Sequence, residues 1–155
     1  MKKVLMVLGG LFVAFVTVVV IAAAVFIPRA LKLDKDAAAY IEQAVPKIAE
    51  HWDTQALLDR ASPEFMSVTK SPEDLKRLFI VFRRLGALKH FDTPKGTVSN
   101  GVFSDTGSFS VGHYTVRGTF DHGAADITIQ VRRTRNGWTI DGFHINSELF
   151  LPPEA

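Results

Sequence analysis

Ala125-Asp126-Ile127-Thr128-Ile129-Gln130-Val131-Arg132-Arg133-Thr134, then Arg135-Asn136-Gly137, then Trp138-Thr139-Ile140-Asp141-Gly142-Phe143-His144-Ile145-Asn146-Ser147: this stretch decides the fold. Its two long runs read as strands, and Asn-Gly between them is the best short hairpin signal a sequence offers. In the second run Trp138 and Ile140 share one parity, while Phe143 and Ile145 occupy the other, across Asp141-Gly142. A slip of one residue is what a β-bulge produces, so this strand is expected to bend.

Outward from that hairpin, two more strands are expected at Lys89 to Val98 and Gly107 to Asp121. Turns are expected over Ser99-Asn100-Gly101 to Thr106 and at His122-Gly123. In the Gly107 strand, Phe109 and Val111 take one parity and Tyr114, Val116 and Phe120 the other, which predicts a second bulge beside Gly112. Two bent strands predict a curled four-stranded antiparallel sheet. The prolines of Leu151-Pro152-Pro153-Glu154-Ala155 cannot continue strand pairing and end it.

Before Leu88 the pattern is helical. Asp34 or Asp36 can cap a first segment in which Ile41, Val45, Ile48 and Trp52 recur as one apolar stripe. Pro46 inside that stripe is expected to kink or restart the helix, because it lacks an N–H and crowds the preceding turn. A short helix from Thr54 to Arg60 turns Leu57 and Leu58 inward. Ser62-Pro63-Glu64 and Ser71-Pro72-Glu73-Asp74 are both helix starts, with serine as N-cap and proline in the first turn. From Pro72 to Leu85, Leu75, Leu78, Phe79, Phe82 and Leu85 line one face; Arg83 and Arg84 meet the negative helix end, and Gly86 stops it.

The longest apolar run is Val4 to Ile27, interrupted only by Thr17. As a helix it would reach about 36 Å, enough to cross a hydrocarbon core of about 30 Å. A cleavable signal competes with this reading, since Met1-Lys2-Lys3 is a positive n-region and Ala22-Ala23-Ala24 resembles a cleavage site. Signal cores are about 7–15 residues long, and this run is longer. Pro28-Arg29 reads as the end of the span, with Arg29, Lys32 and Lys35 at the interface. The expected organisation is a transmembrane signal-anchor over 1–28, a juxtamembrane spacer over 29–33, an α+β domain over 34–150 and a tail over 151–155. Lysines on both flanks nearly balance, and the signal-anchor layout favours a single-pass protein of the inner (cytoplasmic) membrane with its domain outside. Cleavage would give a secreted protein instead.

Charge excludes one function class. All sixteen acids and sixteen of the eighteen bases lie at or after Arg29, so that part is formally neutral and offers nucleic acid no basic excess. Two local clusters, Lys76-Arg77-Arg83-Arg84 and Arg132-Arg133-Arg135, read as solvated faces or turns. There is no cysteine, hence no disulfide, lipoprotein anchor or thiol chemistry. The histidines show no metal spacing, and no nucleophile elbow, phosphate loop or dinucleotide fingerprint occurs, so neither metal nor cofactor is expected.

The order of elements, with Trp52-Asp53 to Ser62-Pro63-Glu64-Phe65 and Asn136-Gly137-Trp138-Thr139-Ile140-Asp141-Gly142-Phe143, resembles uncharacterised bacterial envelope proteins of the nuclear-transport-factor-two-like or cystatin-like superfamily. That resemblance implies a cone-shaped domain with an apolar interior or an open sheet face. It also brings in isomerases and dehydratases, which need a base and an oxyanion partner in an apolar pocket. Candidates here are His113, Tyr114, Asp126, Asp141 and His144, with Asp141 and His144 able to share a face across the bulge. Trp52, Phe79, Phe82, Trp138 and Phe143 are candidate lining for an apolar ligand, although aromatics at such spacing more often form plain core. Three functions follow as expectations: a tethered, non-catalytic domain that binds a protein or itself by its sheet face or Arg132–Arg135 edge; a small-molecule pocket protein; and an isomerase-like enzyme.

Overall fold

The computed structural model of the chain describes residues 2–69, 71–103 and 107–150, with side chains described except at 2–13, 25, 27, 28, 101–103, 107 and 108. Two compact units divide it, Met1–Leu33 and Asp34–Ala155. The elements are helices α1 (Lys2–Ala49), α2 (Thr54–Leu58), α3 (Pro63–Val68) and α4 (Pro72–Phe82), a 3-10 turn at Arg83–Leu85, and strands β1 (Leu88–Phe91), β2 (Lys95–Phe103), β3 (Gly107–Phe120), β4 (Gly123–Thr134) and β5 (Gly137–Asn146), closed by a 3-10 turn at Glu148–Phe150. The expected tail over 151–155 lies outside the described residues.

In the first unit the described side chains from Ala14 to Ile21 are exposed, and the most apolar stretch has a mean hydropathy of 2.3. By length and composition this helix suffices to cross a membrane. It does not end at Pro28, and no new helix opens at Asp34 or Asp36; α1 is assigned straight through Pro28 and Pro46. Interior proline costs about 3 kcal/mol. Around Pro46, however, Ile41, Val45 and Ile48 are completely buried, and each such side chain contributes about 1.5–3 kcal/mol. Packing outweighs the missing hydrogen bond, and Glu50 N–H donates to Pro46 O at 2.9 Å to resume the ladder.

The second unit packs these helices on one face of an antiparallel sheet. Ala37, Ile41, Ala44, Val45 and Ile48 form the buried stripe of α1. After α1, Trp52 sits in the left-handed region at φ 52°, and Asp53 N–H reaches back to Ile48 O at 3.0 Å, the 6→1 bond of a Schellman ending. Glycine normally fills that place; a side chain there costs about 1–2 kcal/mol. Burying the indole, at about 150–250 Å² and 25 cal/mol per Å², contributes roughly 4–6 kcal/mol and decides the matter. The ring stacks on Phe120 at 5.3 Å, lies 5.6 Å from Phe82 and meets Phe79 edge-on, while its Nε1–H donates to Gly86 O at 2.8 Å.

The short helices are capped as their sequences require. Ser62 Oγ accepts from Phe65 N–H and Ser71 Oγ from Asp74 N–H, with proline following each serine. Asp53 caps α2. On α4, Leu75, Phe79, Phe82 and then Leu85 are buried, whereas Leu78 is 46% exposed and does not belong to the inward face. Gly86, at φ 83°, ends the helical segment; a Cβ there would meet Asp121 at 2.6 Å.

The sheet has five strands where four were expected. The run from Lys89 to Val98 is two strands in tandem, β1 and β2, broken around Asp92-Thr93-Pro94 and both paired with β3, followed by β4 and β5. Proline has no N–H for a ladder, which is the local reason for the break. Of the turn expected from Ser99 to Thr106, the residues up to Phe103 belong to β2, β3 begins at Gly107, and 104–106 lie outside the described residues. This sheet is open, neither closed nor strongly curled. One of the two expected bulges exists: Gln130 pairs with Gly142 but Val131 with Ile140, leaving Asp141 as the extra residue. At Gly112 there is none, and the β3–β4 register runs unbroken from Ser110↔Arg133 to Phe120↔Gly123. Gly112 simply holds an inward place over which the Tyr114 ring lies; a Cβ would come within 2.7 Å of that ring.

Both sheet edges are covered in part. Ile140 N–H donates to Arg60 O at 2.7 Å and Ser62 N–H to Ile140 O at 2.8 Å, so the α2–α3 link lies along β5. On β2, Val98 N–H donates to Asp34 Oδ1 at 2.7 Å. Unpaired edges invite association with other chains, and these contacts blunt them.

Candidate functional site

Strand alternation sorts the candidate catalytic residues onto two faces. Tyr114 is on the helix-covered face, 3% exposed, with its hydroxyl 3.3 Å from Asp34 O and 3.4 Å from Asp34 Oδ1. Burial, and then the neighbouring Asp34 carboxylate, pushes its pKa up to about 12. A phenol held so firmly neutral is a poor base. His113, its neighbour, is exposed on the opposite face, as are His144 and the partly exposed Asp126.

Register separates the rest. His113 pairs with Gln130, His144 with Thr128, and Asp126 with Arg117 and Asn146, three different rows of the open face. Asp126 is engaged by Arg117 Nη1 at 3.1 Å. Asp141 is the bulge residue, its side chain only 3% exposed, and its Oδ2 accepts a 2.7 Å hydrogen bond from Arg132 Nε and forms an ion pair with Nη2 at 2.7 Å. Arg132 also lies 5.0 Å over the Phe109 ring. Asp141 and His144 do share a face, but Arg132 occupies the carboxylate and no apolar walls surround the imidazole.

The five aromatic candidates divide likewise. Trp52, Phe79 and Phe82 pack on one another, and Phe143 stacks on Phe79 at 6.5 Å. Trp138 lies apart, under Arg133, whose guanidinium is 5.5 Å from its ring and 3.5 Å from Asp36. Arg132 and Arg133 are thus both used within the domain. Phe143 additionally borders a shallow hollow of about 410 Å³ with Phe65, Thr69, Leu75 and Leu78. A second cleft, of about 370 Å³, opens at the sheet end beside Arg117, His122, Asp126 and Glu148. Asp121-His122 forms the β3–β4 turn, where Lys89 and the Ala87 N–H bind Asp121 and hold its pKa below the usual carboxylate range. Among the described residues no group of histidine and carboxylate side chains is placed to hold a metal ion.

Surface features were less legible than the core. From β3 to β5 the open face includes Val111, His113, Thr115, Thr119, Thr128, Gln130, Thr139, His144 and Asn146 with the paired Arg117–Asp126 and Arg132–Asp141, and Phe109 under Arg132; it contains neither lysine nor glutamate. That omission could have been read from the strand parity. On the helical side, Met66, Val68, Leu78, Ile80 and Val81 are exposed, which the α4 periodicity alone did not separate from the core for Leu78.

No protein-family model matches the chain, and neither the curated proteins nor the solved structures contain a match.

Proposed function

We propose that the protein is a single-pass domain tethered to the outer side of the inner membrane by residues 4–27, which binds a protein partner or a second copy through its open sheet face and performs no chemistry of its own. The observation that carries this reading is the composition of that face. A sheet face that only meets water is ordinarily rich in long charged side chains. Here short β-branched and uncharged residues dominate, the arginines are held by acids on neighbouring strands, and lysine and glutamate are missing from β3 to β5. Depletion of lysine and glutamate is the composition of an interface, and threonines lose little rotamer freedom when covered.

The aromatic packing around Trp52 favours this over the pocket reading, since those rings fill the space that an apolar ligand would need. The long apolar helix before the domain supplies the tethered setting. Photo-crosslinking tests the proposal: benzoyl-phenylalanine replaces Thr115 or Thr128 in cells. A discrete adduct at both positions supports it, with an adduct of twice the chain's mass identifying a second copy. Absence of any adduct at either position sinks it.

A further inference from the structure

Among the described residues of the second unit, Met66, Val68, Leu78, Ile80 and Val81 are the large apolar side chains exposed to solvent, and all belong to α3 or α4. Among the described side chains the open sheet face exposes none. On α4 one of these residues, Ile80, lies among bases, whereas Leu78 and Val81 lie on the other flank. At 100° per residue Arg77 lies opposite the buried Leu75, Phe79 and Phe82, with Ile80 beside it and Lys76 on the flank, and Arg83 and Arg84 follow in the 3-10 turn, so that bases stand on both sides of Ile80. The four bases and Ile80 are exposed, Ile80 at 62%.

A merely solvated helix face interleaves acids with bases at three- and four-residue spacing. The acids of α4, Glu73 and Asp74, are confined to its first turn, and from Leu75 to Leu85 there is none. Lys76, Arg83 and Arg84 make no ion pair among the described residues, and Arg77 only touches the exposed Asp74 at 3.9 Å. Positive charge around an apolar centre is the pattern of a helix lying in a lipid interface, where bases meet phosphate groups and the apolar residue enters the headgroup–acyl boundary. Nucleic acid would gain nothing from Ile80, and the formally neutral domain offers it little attraction.

We infer that the outer face of α4 seats on an anionic bilayer surface, with Lys76, Arg77, Arg83 and Arg84 among the headgroups and Ile80 at the boundary. The inference rests on the tethered reading: six residues of the continuous helix α1, 28–33, separate the apolar run from Asp34, so the domain works beside lipid. It also agrees with the proposed partner surface, because α4 lies in the helical layer and the open sheet face is on the other side of the sheet.

Lack of cysteine makes single-site spin labelling of the full chain unambiguous. Labels at Ile80→Cys, at Thr128→Cys on the open sheet face and at Val16→Cys in the anchor are compared in phosphatidylcholine vesicles with and without phosphatidylglycerol. The readout is oxygen accessibility against that of a water-soluble nickel chelate. The expected result is a severalfold rise in that ratio at Ile80 only with phosphatidylglycerol. It should be reversed by about 1 M salt, where the screening length is about 3 Å, and by joint replacement Lys76→Gln, Arg77→Gln, Arg83→Gln and Arg84→Gln. Position 128 should stay aqueous throughout. An aqueous Ile80 in both vesicle types, with Val16 in lipid, overturns the docking surface and leaves the tether standing; an acidic protein as occupant would give this result. Lipid contact at Ile80 without anionic lipid and in high salt overturns the role of the bases. An aqueous Val16 removes the tether, and Ile80 then reports docking by itself.

Discussion

The Asp34 carboxylate accepts the Val98 backbone N–H at 2.7 Å across 64 positions of sequence, and the same carboxylate lies 3.4 Å from the Tyr114 hydroxyl. A residue that reads as a helix cap instead ties α1 to the exposed edge of β2. It stands where the second compact unit begins.

Asp34→Ala should therefore loosen the sheet edge and not the helix. Loss of a charge-assisted bond of this kind costs about 1.5–3 kcal/mol. Amide exchange should accelerate at Val98 far more than within α1. Equal acceleration at Ala37–Ala44 would mean that Asp34 acts as a cap after all.

Alkali should expose Tyr114. Its folded pKa of about 12 stands above the ordinary 10, so the native state keeps a proton that the unfolded chain releases. The stabilisation is complete below pH 10 and is lost as pH rises through about 12. Two pKa units correspond to about 2–3 kcal/mol, to be read by denaturant titration across that window. Tyr114→Phe should flatten the decline while costing little near neutrality. An unchanged slope would show that another group titrates there.

Trp52→Ala removes the stacked centre of the core and the bond to Gly86 O, and is expected to cost about 3–5 kcal/mol. Trp52→Gly would relieve the left-handed backbone but lose the same packing, so it should be at most about 1–2 kcal/mol better than alanine. Thermal unfolding of the two variants decides whether strain or packing dominates. A glycine variant as stable as the parent would show that the indole contributes nothing net.

Removing Arg132 leaves Asp141 charged and nearly buried, and Arg132→Ala should cost about 2–3 kcal/mol, below the roughly 3–5 of a wholly buried pair. Arg132→Ala combined with Asp141→Ala should be less destabilised than Arg132→Ala alone. If the double variant is worse, the pair is not what holds the bulge.

Gly112→Ala distinguishes a glycine shelf from a bulge. Its Cβ would strike the Tyr114 ring, so a loss of about 1–3 kcal/mol is expected from overpacking. Neutral behaviour would point to local slack at that position.

The sequence by itself determined the class and most of the local detail. Serine-proline pairs specified the starts of α3 and α4, each serine hydroxyl accepting the N–H three residues on, and Asn136-Gly137 specified the last hairpin. Parity placed the Asp141 bulge correctly, because an extra residue shifts every following side chain to the other face. Such signals are local, and local chemistry suffices for them. The same parity argument failed at Gly112, where a missing side chain looks like a phase change until a ring from two residues away covers it. Tertiary structure alone decided that Pro46 would be carried inside a helix, that Asp34 would serve a strand, and that Arg132 would occupy Asp141. It also turned Leu78 outward. Each of these outcomes depends on what lies across the core or across a sheet edge, where burial of several kilocalories overrides a local preference of one to three.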